Sequence, residues 1–289
     1  MSSARAEAAP AKVNLTLRII GQRPDGYHDL ESLVVFASVG DALTLTVGPR
    51  LSLAVRGPTA SSAGAVADNL VLKAVAALAK RVEGLKSGRF VLAKRLPVAA
   101  GLGGGSADAA AALRLLARKN RLALDDAGLR EAARATGADV PVCLDPRPRL
   151  MCGIGDLLSP PLDLPLLPSV LVNPRLAVPT KGVFERLAAS RVLRPAAMSE
   201  DYPPTDRAGL LKYVADRGND LEAPAITLQP VVSDVLEALR RLSGCRLARM
   251  SGSGATCFAL FDNAKAAAAA ARALRGRKPD WWVRSAMLG

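Results

Sequence analysis

The sequence predicts an α+β fold in two domains, and three features lead to it. The first is a run of four glycines in five positions, Gly101, Gly103, Gly104 and Gly105. It lies between a strand-like segment, 90–96, that stops at Pro97 and an alanine- and leucine-rich segment, 107–116, with the composition of a helix. The second is the proline-rich run 159–168, which marks a boundary and divides the chain into 1–158 and 159–289. The third is the alternation of strand-like and helix-like segments beyond that boundary, as in a small α+β layer. With 289 residues, half of them apolar, the chain has the length for one large or two ordinary domains with a real core.

Taken in order, 11–20 alternates polar and apolar and is expected to be a half-buried strand. Lys12, Asn14, Thr16 and Arg18 fall on one face and Val13, Leu15, Leu17 and Ile19 on the other. Residues 21–26 form a turn that presents Tyr27 and His28, the single histidine. Segments 33–37 and 43–47 read as strands joined by a hairpin turn at Val39-Gly40-Asp41, and 51–55 as a third strand. Residues 59–67 are a small-residue loop. Asp68-Asn69 then caps a helix over 70–82, with Leu70, Ala74, Ala77, Leu78 and Arg81 along its apolar stripe. A further helix covers 126–136 and ends at Gly137; 149–152 is a short strand and 153–156 a glycine turn. Past the boundary, 169–173, 247–250, 257–261 and 281–284 read as strands, and 180–189, 231–242 and 264–274 as helices. Residues 191–207 read as a polar loop, and 251–256 as a second glycine loop.

Composition narrows the function classes. Lysine and arginine number 39 against 26 acids, a net charge of +13, which invites a nucleic-acid reading. The basic residues are dispersed, however, with modest clusters only at Arg240-Arg241 and 272–278, and aromatics make up just 3% of the chain. Nucleic-acid grooves interleave the two. A polyanionic small substrate explains a dispersed excess equally well. Four cysteines without C-x-x-C spacing and one histidine argue against zinc and for reduced, buried thiols. Residues 1–9 hold no hydrophobic leader, and no run approaches the roughly 20 apolar residues that span a bilayer. A cytoplasmic protein with no membrane partner is expected.

The glycine run carries the chemistry. Backbone N–H groups at the start of a helix, unobstructed by β-carbons, make an anion site suited to nucleotide phosphates. The plainer alternative is a glycine-rich turn capped by Ser106. Walker A is excluded because no lysine follows Gly105, and G-x-G-x-x-G fails because its last position is Ser106. Read alone, Lys12 is a solvated strand residue, Asp139 is a cap for 140–144, and His28 is either structural or, beside Tyr27 in a polar loop, a ligand contact.

Pro10-Ala11-Lys12-Val13-Asn14-Leu15, the loop 97–107 and Ser251-Gly252-Ser253-Gly254 together resemble the GHMP kinase superfamily. Arg23-Pro24-Asp25-Gly26-Tyr27-His28 and Gly137-Ala138-Asp139-Val140-Pro141 narrow this to the branch that phosphorylates 4-diphosphocytidyl-2-C-methyl-D-erythritol in the non-mevalonate isoprenoid pathway. The resemblance implies a ribosomal-protein-S5-like N-terminal domain, a ferredoxin-like C-terminal domain, and transfer of phosphate from ATP to the substrate's 2-hydroxyl. It implies Lys12 and Asp139 as catalytic residues. Pro97, Val98, Ala99, Ala100, Gly101, Leu102, Gly103, Gly104, Gly105, Ser106 and Ala107 would bind ATP; many relatives have a second serine where this chain has Ala107. Asn14, Tyr27, His28, Thr180, Phe184, Gly252, Ser253 and Gly254 would bind the cytidyl substrate, Tyr27 and Phe184 sandwiching the cytosine. No residue carries a motif-level claim to a metal, so Mg²⁺ is expected to be held mainly by ATP oxygens and water. The alternatives are another GHMP small-molecule kinase and a basic nucleic-acid-binding protein.

Overall fold

The structure, a computed structural model, describes residues 5–188 and 201–289. The chain forms strands β1 (Arg5–Asn14), β2 (Arg18–Gln22), β3 (His28–Val47) and β4 (Ser52–Arg56), helix α1 (Leu70–Ala79) and β5 (Gly88–Ala93). Helices α2 (Gly104–Asn120), α3 (Ala127–Thr136) and α4 (Val140–Leu144) follow, then β6 (Arg149–Gly153), β7 (Leu157–Leu158) and β8 (Leu167–Asn173). The remainder is α5 (Thr180–Ala188), α6 (Arg207–Arg217), α7 (Glu222–Leu228), α8 (Val231–Arg240), β9 (Leu247–Met250), β10 (Cys257–Leu260), α9 (Ala264–Arg277) and β11 (Trp282–Leu288). Two compact units result, neither continuous in sequence: 1–12, 40–98 and 103–146 form one, and 13–39, 99–102 and 147–289 the other.

In the first unit, β5 pairs antiparallel with the second half of β3 and parallel with β4. Val71, Ala74, Val75 and Leu78 are the buried face of α1, so its stripe is rotated from the expected one, and Arg81 is exposed. Helix α2 buries every residue from Ala107 to Ala117, including Asp108 and Arg114. Arg114 ties three pieces together: Nε donates to Glu7 Oε1 at 2.8 Å, and the terminal nitrogens donate to the Cys143 carbonyl at 2.5 Å and the Ala8 carbonyl at 2.6 Å. The start of β1 and the end of α4 are thereby both fixed to α2. Asn69 caps α1 as expected, accepting from Val71 N–H, and Asp126, expected as the first helical residue, is instead the cap of α3, accepting from Leu129 N–H.

The expected hairpin at Val39-Gly40-Asp41 does not form; β3 runs unbroken for 20 residues. Gly40 is there for a different reason. A β-carbon on it would lie 2.3 Å from the Ala9 carbonyl oxygen and 2.6 Å from Pro10 Cα, so the glycine lets the β1 backbone lie against β3. Gly40→Ala is expected to destabilise the protein by about 1–3 kcal/mol, the usual range of overpacking; a urea titration with an unchanged midpoint would refute this.

In the second unit, the first part of β3 pairs with β2 and β6, and β6 with β7. An antiparallel sheet in the order β11-β8-β10-β9 follows, with β8 buried at all seven positions between its neighbours. Val232, Val235, Leu236 and Leu239 of α8 and Ala267, Ala271 and Leu274 of α9 cover it, packing with Val170, Val172 and Val283. The single strand expected over 11–20 breaks after Asn14, because Leu17 leaves the ladder: its N–H donates to the Gly218 carbonyl at 3.0 Å and its carbonyl accepts from Asp220 N–H at 2.8 Å. Helices α6 and α7 fall where the sequence shows no clear period; α7 spans only seven residues and contains Pro224. Of the expected loop 191–207, residues 191–200 lie outside the described residues.

Candidate active site

Strand β1 was expected to turn Lys12, Asn14 and Thr16 to solvent. All three are buried, at 4%, 1% and 2% exposure, and only Arg18 on that face is exposed. Burial of a lysine requires a partner, and Lys12 has one: Nζ lies 2.8 Å from Asp139 Oδ1. Asp139 occupies the N-cap position of α4 but its side chain makes no capping bond there. Its carboxylate, about a third exposed, turns to Lys12 instead. Pro141 in the first turn of α4 and the Arg114 bond to its last turn hold that helix, and so Asp139, in place.

The glycine run begins α2 earlier than the expected 107. Gly103 takes a left-handed conformation, φ +57°, as N-cap, and Gly104, Gly105 and Ser106 are the first helical residues. No side chain caps the helix, so Ser106 is not the cap that the plainer reading required. Free N–H groups at the head of a 17-residue helix are a site for negative charge. A β-carbon on Gly103 would sit 3.2 Å from Lys12 Cβ and 3.3 Å from Lys12 Cε, so the helix start lies directly against the lysine stem. Lysine, carboxylate and uncapped helix start thus meet in one unit.

In the other unit, Gly101 packs on the second glycine loop. A β-carbon there would lie 2.4 Å from the Ser251 carbonyl oxygen and 2.9 Å from that of Gly254. Ser251 Oγ donates to the Gly101 carbonyl at 2.9 Å and accepts from Asn14 N–H at 3.1 Å. Asn219 holds the same loop, its Nδ2 donating to the carbonyls of Met250 at 2.8 Å and Gly252 at 2.9 Å. Thr180 Oγ1 and Ser253 Oγ are 2.8 Å apart, bringing two of the expected substrate residues together.

One ring contact forms among the expected cytidine residues. His28 and Phe184 have ring centroids 5.1 Å apart with an interplanar angle of 31°. Tyr27 is 62% exposed and makes no ring contact among the described residues. Its N–H donates to Asp25 Oδ1 at 3.1 Å, which sets the tight turn and directs the ring to solvent. Burial lowers the His28 pKa, keeping the imidazole neutral at pH 7, and its buried Nε2 has no hydrogen-bond partner. A neutral imidazole beside a phenyl ring offers a stacking face and one unsatisfied polar atom.

Several residues escaped the sequence reading. Lys94, just past β5, lies 2.5 Å from Asp41 Oδ2 and 2.6 Å from Asp108 Oδ2, all three buried. Asp41 Oδ1 also accepts from the N–H groups of Arg95 at 2.5 Å and Leu96 at 2.9 Å. Burial pushes the Asp108 carboxyl up to about 7; Lys94 opposes the shift and Asp41 adds to it. Burial acts to lower Lys94, but the two carboxylates outweigh it and leave it raised. A β-carbon on Gly104 would lie 3.3 Å from Lys94 Nζ, which places this cluster behind the first turn of α2. One signal was visible: Asp108 interrupts an otherwise alanine-rich helix start. Among the described residues, no group of three or more His, Cys, Asp or Glu side chains could hold a metal, and no helix is long and apolar enough to cross a membrane. Burial also raises the thiols of Cys143, to about 12, and Cys257, which removes them from nucleophilic chemistry.

The GHMP kinases N terminal domain model matches residues 69–145, which include the first glycine loop and Asp139, and the GHMP kinases C terminal model matches 205–280. The chain is 55% identical to the 4-diphosphocytidyl-2-C-methyl-D-erythritol kinase of Rhodopseudomonas palustris (strain HaA2), covering 99% of each. It is 56% identical to the enzyme of that name from Xanthobacter autotrophicus, covering 97% of each. A crystal structure of 4-(cytidine 5'-diphospho)-2C-methyl-D-erythritol kinase is similar to it at TM-score 0.76 and 36% identity, over 99% of both chains. The fold, the two glycine loops and these full-length identities agree, and the chain belongs to the 4-diphosphocytidyl-2-C-methyl-D-erythritol kinase family of the GHMP kinases.

Proposed function

We propose that the protein transfers the γ-phosphoryl group of ATP to the 2-hydroxyl of 4-diphosphocytidyl-2-C-methyl-D-erythritol, a step of the non-mevalonate route to isoprenoid precursors. It is an ATP-dependent kinase of a small molecule. The observation that carries the mechanism is the 2.8 Å pair between Lys12 and Asp139 beside the uncapped start of α2. Phosphoryl transfer asks mainly for positioning and charge stabilisation. In this reading the Asp139 carboxylate orients the acceptor hydroxyl and takes its proton, and Lys12 holds the carboxylate while offsetting phosphate charge. Residues 97–107 receive the triphosphate through backbone N–H groups. Formation of ADP that depends on the cytidyl substrate, and is absent with mevalonate or homoserine, tests the assignment.

Asn14, Thr180, Gly252, Ser253 and Gly254 are assigned to the substrate, with Tyr27 and Phe184 sandwiching the cytosine and His28 reading its polar edge. The pairing of His28 with Phe184 supports a stack in which His28 reads the base. Phe184→Ala is expected to raise KM for the cytidyl substrate about tenfold, since a base stack contributes about 1–3 kcal/mol and 1.4 kcal/mol is a factor of ten. KM for ATP should stay within about twofold; equal rises in both would remove Phe184 from the cytidine site. Gly104→Val, whose side chain would press on Lys94 and Leu96 behind the head of α2, is expected to displace that helix start and so weaken ATP binding while sparing the cytidyl substrate, which calorimetry with each ligand would measure.

In this reading a Mg²⁺ is held chiefly by ATP oxygens and water, beside the backbone N–H groups at the uncapped start of α2 that would receive the triphosphate. Such an ion supplies charge neutralisation to the triphosphate. Domains of 1–158 for ATP and 159–289 as the C-terminal module remain part of this reading; the two family models fall on either side of that boundary, while the compact units divide the chain differently, with 13–39, 99–102 and 147–158 in the second. We assign the protein to the cytoplasm, with no nucleic-acid or membrane partner.

A further inference from the structure

Asn14 is fixed by a chain of hydrogen bonds whose polarity can be read from its far end. Ser32 Oγ lies 2.6 Å from the Thr16 carbonyl oxygen. A carbonyl has no proton to give, so the serine hydrogen must be on this bond. Ser32 Oγ is left with lone pairs only, and the Asn14 atom that meets it at 2.7 Å is therefore the donating Nδ2. Thr16 is itself pinned, its Oγ1 accepting from Leu33 N–H at 3.0 Å. Ser251 repeats the logic on the main chain: its hydrogen goes to the Gly101 carbonyl, and its oxygen accepts from Asn14 N–H.

With backbone and Nδ2 both committed, Asn14 Oδ1 points away from Ser32. It is buried and has no hydrogen-bond partner. A β-carbon on Gly252 would stand 3.4 Å from it, so the glycine leaves open the space in front of the oxygen. A buried amide oxygen left unpaired is costly, and the group that completes it must bring a proton. Phosphate oxygens only accept at neutral pH and would be repelled; a hydroxyl fits.

We propose that Ser32 is a positioning residue that presets the Asn14 amide as an acceptor for a hydroxyl of the methylerythritol moiety, so that this point of the site selects the polyol over the diphosphate. The proposal rests on the reading that Asn14 faces this substrate. Without Ser32 the amide loses the partner that fixes its orientation and can present Nδ2 instead.

The test is steady-state kinetics of Ser32→Ala, Asn14→Leu and the double variant, with ATP and the cytidyl substrate varied in turn. Ser32→Ala is expected to lower kcat/KM for the cytidyl substrate about tenfold and to leave KM for ATP within about twofold. The double variant should be no worse than Asn14→Leu alone, because Ser32 acts only through Asn14. Normal kcat/KM in folded Ser32→Ala, or losses that multiply in the double variant, would overturn the proposal. A merely structural serine would lower the melting temperature and leave these kinetic ratios alone. If Ser32→Ala does not fold, Ser32→Cys, similar in size and a weak donor, is held to the same two criteria. Unchanged kinetics in Asn14→Leu would instead reject the placement of Asn14 at the substrate, and a wild type without cytidyl-dependent turnover would reject the substrate assignment.

Discussion

Asp139→Asn is expected to lower kcat by about 10²- to 10⁴-fold, the range lost when a positioned general base is removed. The substitution keeps the size of the side chain and an oxygen for Lys12 Nζ, now 2.8 Å from Asp139 Oδ1, so the local geometry should persist. It removes the charge and the proton acceptor. Neither KM should move by more than about threefold, because the carboxylate acts on the hydroxyl in the transition state rather than on ground-state binding. The melting temperature should fall, because the buried Lys12 loses its counter-charge, so turnover is compared at a temperature where circular dichroism shows both proteins folded. A folded Asp139→Asn enzyme with near-normal turnover would remove Asp139 from the chemistry and leave the Lys12 pair as a structural contact.

That prediction depends on a burial that local pattern does not report. The polar/apolar alternation of β1 is visible in the sequence and correct, but which face meets solvent is decided by what packs on it. Here both faces are covered, because Lys12, Asn14 and Thr16 each have a partner from elsewhere in the chain: Asp139, Ser32 with Ser251, and the Leu33 N–H. Gly40 illustrates a second limit. Beside an aspartate it has the composition of a turn, yet its conformation answers to Ala9 and Pro10, some thirty residues away. Elements with local causes were legible: the Asn69 cap, the Gly137 stop, the glycine entry to α2 and the alanine helix α9. The contact of His28 with Phe184 was not legible, since which of the adjacent Tyr27 and His28 turns to Phe184 depends on a turn closed by Asp25. Lys94 lay hidden because a lysine after a strand ordinarily reaches solvent, and only the fold brings Asp41 and Asp108 to it.

Lys94→Met is expected to destabilise the protein by about 3–5 kcal/mol at pH 8, the cost of leaving buried charge without its counter-ion. Lys94 is the cation that faces both Asp41 and Asp108, at 2.5 and 2.6 Å, and the side chains of all three are at most 5% exposed. Methionine fills the stem but neutralises nothing. Against a typical stability of about 5–15 kcal/mol, this loss is a large fraction. It should also depend on pH in a defined direction. The Asp108 carboxyl is raised from 3.8 to about 7 in the folded protein, so between those values the folded state holds a proton that the unfolded chain has released. That contribution is present in full below about pH 4 and is lost as pH rises through 7. Removing Lys94 takes away the group that opposes the shift, so the folded variant should hold the proton to higher pH. Its deficit against wild type should therefore be smaller at pH 5 than at pH 8. Asp108→Asn in the Lys94→Met background should recover part of the loss at pH 8, because asparagine is neutral without the proton that Asp108 must take up on folding. Urea unfolding of the three proteins at both pH values measures all of this. A deficit below about 1 kcal/mol, or one equal at pH 5 and pH 8, would mean that the buried cluster is not held together by charge.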